Sequence, residues 1–169
     1  TDRVAEAIRE EPGGIIVNIQ GDEPLIPPEV VDQLVAALEE GVDAMATVAV
    51  PFDGPDQVSN PNMVKVVCDA RGAALYFSRA PIPYCREGGM PVGPLLHWGV
   101  YAYRRDALES FVSWSPAALE SCEKLEQLRA LENGLAIRVL VVERNAPDVN
   151  VPEDIAQVEC VLRERGEIE

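Results

Sequence analysis

The strongest constraint on this chain is the alternation of two hydrophobic periods. Short β-branched apolar runs take turns with segments whose apolar residues recur every three or four positions. The first kind suits a strand buried on both faces, the second an amphipathic helix laid against it. Ile15 to Ile19 (IIVNI) predicts a strand, preceded by the breaker Gly13-Gly14 and followed at once by Gln20-Gly21-Asp22-Glu23-Pro24. Pro27 and Pro28 open a helix whose stripe is Val30, Val31, Leu34, Val35 and Leu38, with Gly41 as its stop. Ala44 to Val50 predicts a second strand. Val64 to Cys68 and Ala73 to Phe77 flank Asp69-Ala70-Arg71-Gly72, the pattern of a hairpin. His97 to Tyr103 reads as an aromatic strand entering a helix near Asp106. Residues 118–133 read as one helix, with Leu119, Leu125, Leu128 and Leu131 inward and Gly134 as its stop. Ile137 to Val142 is a further strand, and Pro152 starts a last helix with Ile155, Val158, Val161 and Leu162 inward. Residues 51–62 and 81–94, rich in proline and turn formers, are loops.

This order predicts an α/β fold in one domain spanning residues 1–169, helices covering a mostly parallel sheet, with a small antiparallel addition from the hairpin. The net charge of -15 argues against nucleic acid or a membrane surface as partner. It also means that an anionic substrate needs local cations or a metal ion. The apolar runs are too short to span a bilayer. Cys68, Cys85, Cys122 and Cys160 show no metal-binding spacing, which fits idle thiols in a reducing cytoplasm. Residues 1–11 form a helical pattern with Val4, Ala5, Ala7 and Ile8 on one face, and nothing before it to cap it. That start suggests the later part of a longer protein.

Four places could carry chemistry. Asp22 follows the end of a buried strand, where open α/β sheets bind ligands, and a carboxylate there suits Mg²⁺; an Asx turn is the plain alternative. Gly21 lets a ligand approach the backbone. His97 is the single histidine, a type more often structural than catalytic when alone. Arg79 suits bidentate binding of a carboxylate or phosphate, or a surface salt bridge. Glu126 and Gln127 sit on a helical pattern that ordinarily forms a solvated face.

Taken together these segments say more. IVNIQGDEPLIP, NPNMVKVV, ALYFSRAPIP, LLHWGVYAYRR, EKLEQLRALENG and VPEDI, in this order, resemble the CMP-Kdo synthetases, the 3-deoxy-manno-octulosonate (Kdo) cytidylyltransferases. The resemblance covers nearly the whole chain. It implies a three-layer α/β/α, Rossmann-like nucleotidyltransferase fold, and a cytoplasmic, homodimeric, Mg²⁺-dependent enzyme of lipopolysaccharide biosynthesis. That enzyme transfers a cytidylyl group from CTP to Kdo, giving CMP-Kdo and pyrophosphate. It implies Asp22 as the catalytic metal ligand, Gln20 and Gly21 beside the substrate, and Arg79, His97 and Tyr101 around the sugar acid. Glu126 and Gln127 would hydrogen-bond the sugar hydroxyls. Asn62 and Lys65 also match, although Lys65 reads nearly as well as a strand-edge solvent contact.

Two departures accompany the match. The family's N-terminal segment, with the first parallel strand and a basic glycine-containing loop for the triphosphate, has no counterpart here, which implies a fragment inactive by itself. The family's second metal-binding aspartate, just before PED, is Asn150 in this chain, with Asp148 two residues earlier. Two other readings stay open at this point: another sugar nucleotidyltransferase, which HWGVYAY and KLEQLR argue against, and a noncatalytic dimerisation module.

Overall fold

The computed structural model describes residues 1–52, 54–87, 95–143, 149 and 154–168. In chain order the elements are α1 (Asp2–Ala7), β1 (Ile15–Asn18), α2 (Pro28–Glu40), β2 (Met45–Pro51), α3 (Pro55–Val58), β3 (Lys65–Cys68), β4 (Ala74–Ser78), β5 (Leu95–Arg104), α4 (Arg105–Ser113), α5 (Ala118–Glu123), α6 (Gln127–Glu132), β6 (Ile137–Val141) and α7 (Ile155–Glu164).

The six described strands form one sheet with the path β4-β3-β5-β2-β6, and β1 joins it on β5. β5 is antiparallel to β1, β2 and β3, and β3 to β4, whereas β2 and β6 are parallel. Four strands (β1, β2, β3 and β6) therefore run one way. The mostly parallel reading holds for strand direction but not for pairing, because the long aromatic strand enters the middle of the sheet reversed. The antiparallel part is thus larger than a hairpin.

Side-chain alternation sorts the sheet into two faces. On one, Ala46, Val48 and Val50 of β2 and Trp98, Val100 and Ala102 of β5 pack under Val30, Leu34 and Leu38 of α2. On the other, Met45, Ala49, Tyr101 and Tyr103 meet Leu108 and Phe111 of α4, Leu125, and Leu128 of α6, with Val4, Ala5 and Ile8 at the rim. Helices on both faces give the three-layer α/β/α arrangement. Pro28 at the first turn of α2 lacks only an N–H that would be unpaired anyway, and Gly41 ends it. A Cβ at Gly41 would lie 2.5 Å from the Ala37 carbonyl oxygen, so glycine is required there. The predicted hairpin closes through Asp69, whose Oδ1 accepts the N–H groups of Arg71 and Ala73 at 2.8 and 2.9 Å. Its tip reaches across to β6, where the Val139 N–H donates to the Gly72 carbonyl at 2.8 Å.

The helix predicted over 118–133 is two helices. Lys124 between them takes a left-handed conformation, φ 56 and ψ 47, which turns the chain and drives Leu125 into the core. In consequence Leu119, expected inward, is 38% exposed. Ile155 is likewise exposed, while Val158 of the same helix is buried. α3 lies inside the span predicted as loop. Lys65 is buried rather than at a solvent edge.

These placements separate two leucine truncations. Leu34→Ala, at a site with 0% exposure, is expected to cost about 2–5 kcal/mol in urea unfolding. Leu119→Ala is expected to cost less than about 1 kcal/mol; equal losses would restore the single-helix reading.

Candidate functional site

The cavity arises from a split in the sheet. Along one edge of β5, β3 pairs only as far as Leu96, and β1 begins only at Tyr101. Between these two partners the edge is open, apart from the His97 N–H donating to the Val64 carbonyl at 2.8 Å. A cavity of about 410 Å³ opens here beyond the carboxyl end of β1, lined by Asn18, Gln20, His97, Gly99, Tyr101, Glu126 and Gln127 among others. Crevices of this kind are the ordinary ligand position in α/β sheets. Gly99 leaves its floor open: a Cβ there would meet nothing within 4 Å.

His97 is held in one tautomer. The Thr47 hydroxyl donates its proton to the Val100 carbonyl at 2.8 Å, so at 3.0 Å it accepts from His97 Nε2. Nδ1 is therefore left as an acceptor. The ring packs edge-on to Phe77 at 5.0 Å and tilted against Tyr101 at 5.3 Å. Burial pushes its pKa down to about 3, so the imidazole is neutral. Burial likewise raises the pKa of the Tyr101 and Tyr103 phenols, which stay protonated. Glu126 is the acid of the wall, beside Lys124, and its carboxyl titrates below the usual range chiefly because the Thr1 hydroxyl donates to it at 2.5 Å.

The left-handed turn at Lys124 delivers Glu126 and Gln127 to the cavity, and two structures hold the turn. A buried ion pair spans it: Arg129 donates from Nε and NH2 to the Glu120 carboxylate at 2.8 and 2.5 Å, with its guanidinium 4.8 Å above the Phe111 ring. On the opposite side Arg79 donates to the carbonyls of Glu123 (2.8 Å), Pro61 (2.9 Å) and Lys124 (3.4 Å).

The cytidylyltransferase family matches residues 1–139 of this chain. The 3-deoxy-manno-octulosonate cytidylyltransferase of Chloroherpeton thalassium is 42% identical over 168 residues, covering 98% of this chain and 68% of that protein. The enzyme of the same name from Aliivibrio fischeri (strain MJ11) is 46% identical over 172 residues, covering 96% and 69%. The solved structure of a CMP:2-keto-3-deoxy-manno-octonic acid synthetase complexed with CTP superposes with a TM-score of 0.91 at 35% identity, over 97% of this chain and 68% of that one. The chain belongs to the cytidylyltransferase family, among the 3-deoxy-manno-octulosonate cytidylyltransferases.

In this cytidylyltransferase chain the cavity brings together five residues named from the sequence: Gln20, His97, Tyr101, Glu126 and Gln127. Gly21, Asp22 and Arg79 are outside its lining. Arg79 sits behind the Lys124 turn, its guanidinium spent on main-chain carbonyls. Asp22 is exposed just past the end of β1, and its carbonyl accepts the Val149 N–H at 2.9 Å. That bond sets Val149 alongside Asp22. Asn150 and Asp148 lie outside the described residues, among which no group of three or more His, Cys, Asp or Glu is gathered. One exposed carboxylate is a donor set that fits Mg²⁺ carried in with substrate phosphates, since that ion commonly takes one or two carboxylates and keeps its other positions for phosphate and water. Sequence reasoning missed Asn18, Gly99 and Thr47. Only Gly99 left a signal, as a glycine inside the aromatic strand HWGVYAY.

Two outcomes follow from this geometry. Breaking the Glu120–Arg129 pair with Glu120→Ala is expected to cost about 3–5 kcal/mol in denaturant unfolding, because a buried guanidinium loses its counter-ion. For His97, the folded pKa of about 3 lies below the unchained value of 6.5. The unfolded state then binds the extra proton between those two limits, and stability falls as pH drops through that window, by at most about 1.4 kcal/mol per pH unit. The wild-type stability curve between pH 7 and 4, minus that of His97→Gln, should show this slope; parallel curves would place a protonated imidazole in the fold.

Proposed function

We propose that this chain serves the transfer of a cytidylyl group from CTP to Kdo, which releases CMP-Kdo and pyrophosphate, that its cavity is the sugar-acid half of the site, and that the chain by itself binds Kdo with little or no turnover, as the resemblance implies. The observation carrying this reading is the convergence of neutral His97, protonated Tyr101, ionised Glu126 and Gln127 on one crevice at a strand end, in a chain of this family. A polyhydroxylated sugar needs both donors and acceptors. Glu126 and His97 Nδ1 accept from hydroxyls, Tyr101 donates, and the Gln127 amide does both. Such a set discriminates strongly, because a sugar lacking one hydroxyl leaves a buried polar group unpaired.

The reaction is an in-line displacement. The anomeric hydroxyl of Kdo attacks the α-phosphorus, the new O–P bond forms, and the bond to pyrophosphate breaks. This is chiefly a matter of positioning and charge neutralisation. With a net charge of -15 the protein supplies little general attraction for a triphosphate. Asp22 is the residue that would hold Mg²⁺; Asn150, which the resemblance implies at the second position, is the weaker candidate because a neutral amide lacks the charge the ion prefers. When bound, that ion offsets phosphate charge and makes phosphorus more electrophilic. Gln20 and Gly21, between the end of β1 and Asp22, would contact substrate where the two halves meet. The role of Arg79 toward the Kdo carboxylate has less support, since its guanidinium is occupied. The resemblance alone supports a cytoplasmic homodimer serving lipopolysaccharide biosynthesis; among the described residues no helix is long and apolar enough to cross a membrane.

The test is titration of the chain with Kdo by calorimetry, together with pyrophosphate release from CTP, UTP and GTP. Saturable Kdo binding is expected, with little or no pyrophosphate release from any of the three nucleotides; a chain that ignores Kdo at millimolar concentration overturns the reading. Gly99→Leu puts a side chain on the cavity floor, where its Cβ meets nothing within 4 Å. It should weaken Kdo binding by about tenfold or more while the unfolding midpoint holds. An unchanged affinity would move the sugar elsewhere.

A further inference from the structure

Lys65 has 0% exposure, and its ammonium is saturated by main chain alone. Its three protons go to the carbonyls of Asn60 at 3.0 Å, Met63 at 2.7 Å and Arg79 at 2.5 Å. A neutral amine has only two protons and would turn a lone pair on the third carbonyl, so this cradle is built for the charged form. Burial lowers the lysine pKa and the Glu123 carboxylate opposes that shift.

The Arg79 carbonyl is the important acceptor, because Arg79 is also the residue that grips the Lys124 turn. Its N–H donates to Glu123 Oε2 at 3.0 Å and its Nε to the Glu123 carbonyl at 2.8 Å, while the Ser78 hydroxyl donates to Glu123 Oε1 at 2.7 Å. Its NH1 reaches Pro61, in the turn that Lys65 also holds. Lys65 thus fixes the base of a clamp whose other end closes on Glu123 and Lys124. Lys124 is the one non-glycine residue with positive φ among those described, a backbone state disfavoured by its Cβ and kept only where surroundings impose it. Immediately after it come Leu125 in the core and Glu126 and Gln127 in the cavity.

We propose that Lys65 is a positioning residue for sugar-acid recognition: by fixing the Asn60–Met63 turn to the Arg79 main chain, it keeps Lys124 left-handed and sets where Glu126 and Gln127 stand. It touches no substrate. The inference rests on the sugar-acid reading of the cavity for its consequence, but its mechanical part is independent of it.

The experiment uses the enzyme with Lys65→Met and two readouts. Hydrogen exchange over residues 120–128 should speed by about tenfold in the variant, while β2 keeps its protection. By calorimetry the Kd for Kdo should rise by about tenfold or more. Lys124→Asn, which favours the left-handed backbone, should recover part of the Kdo effect when combined with Lys65→Met, measured against the single Asn variant. Unchanged exchange over 120–128, an unchanged Kd for Kdo, or a weakened Kdo affinity with no recovery in the double variant overturns the proposal. If Lys65→Met does not fold, Glu123→Gln, which weakens the other end of the clamp, decides by the same readouts. A wild-type enzyme without Kdo binding would sink the functional reading, whereas the exchange result alone judges the clamp.

Discussion

The reversed strand β5 is the element on which the architecture depends. β2 pairs with it from Leu95 to Tyr103, and the opposite edge is shared by two partners that do not meet, β3 at one end and β1 at the other. A continuous partner would have sealed the sheet. Two short ones leave a crevice at a strand end, where main-chain groups are free and side chains from several elements converge. The glycine in that stretch keeps the crevice deep, and the residues on either side of it, His97 and Tyr101, become its polar wall.

The opposite wall depends on a defect. A continuous helix over 118–133 would have placed Glu126 on a solvated face. The left-handed residue at 124 breaks it, and the break is held by charges that face inward. Glu120 and Arg129 satisfy one another across it, while Arg79 donates to the Glu123 and Lys124 carbonyls of the turn and Lys65 holds the Arg79 carbonyl behind it. Buried charge is costly unless every donor finds a partner. Here the partners are mostly main chain, so the cations act on backbone shape.

The electrostatics of the cavity follow the same economy. In a strongly acidic chain the cavity's His97, Tyr101 and Gln127 are neutral, and Glu126 supplies the negative charge beside Lys124. A neutral imidazole fixed by Thr47 presents one acceptor in one orientation, which suits recognition more than proton transfer.

Much of this was legible in the residues. The alternation of periods determined an α/β sandwich; the Asp69–Gly72 turn determined a hairpin; Pro28 and Gly41 determined α2. The segments around QGDEP, FSRAP, HWGVYAY and EKLEQLR determined the family, because short polar motifs after apolar runs persist when their chemistry does. Local pattern is carried by neighbours in the chain, so these features need no knowledge of distant contacts. The reversal of β5, the split along its edge, the break at Lys124, the exposure of Leu119 and the burial of Lys65 were decided by tertiary structure. Each depends on partners far apart in sequence, such as Arg79 meeting Glu123 or β3 stopping where β1 has yet to begin, and their energies outweigh the helical preference of residues 118–133 and the usual solvation of a lysine.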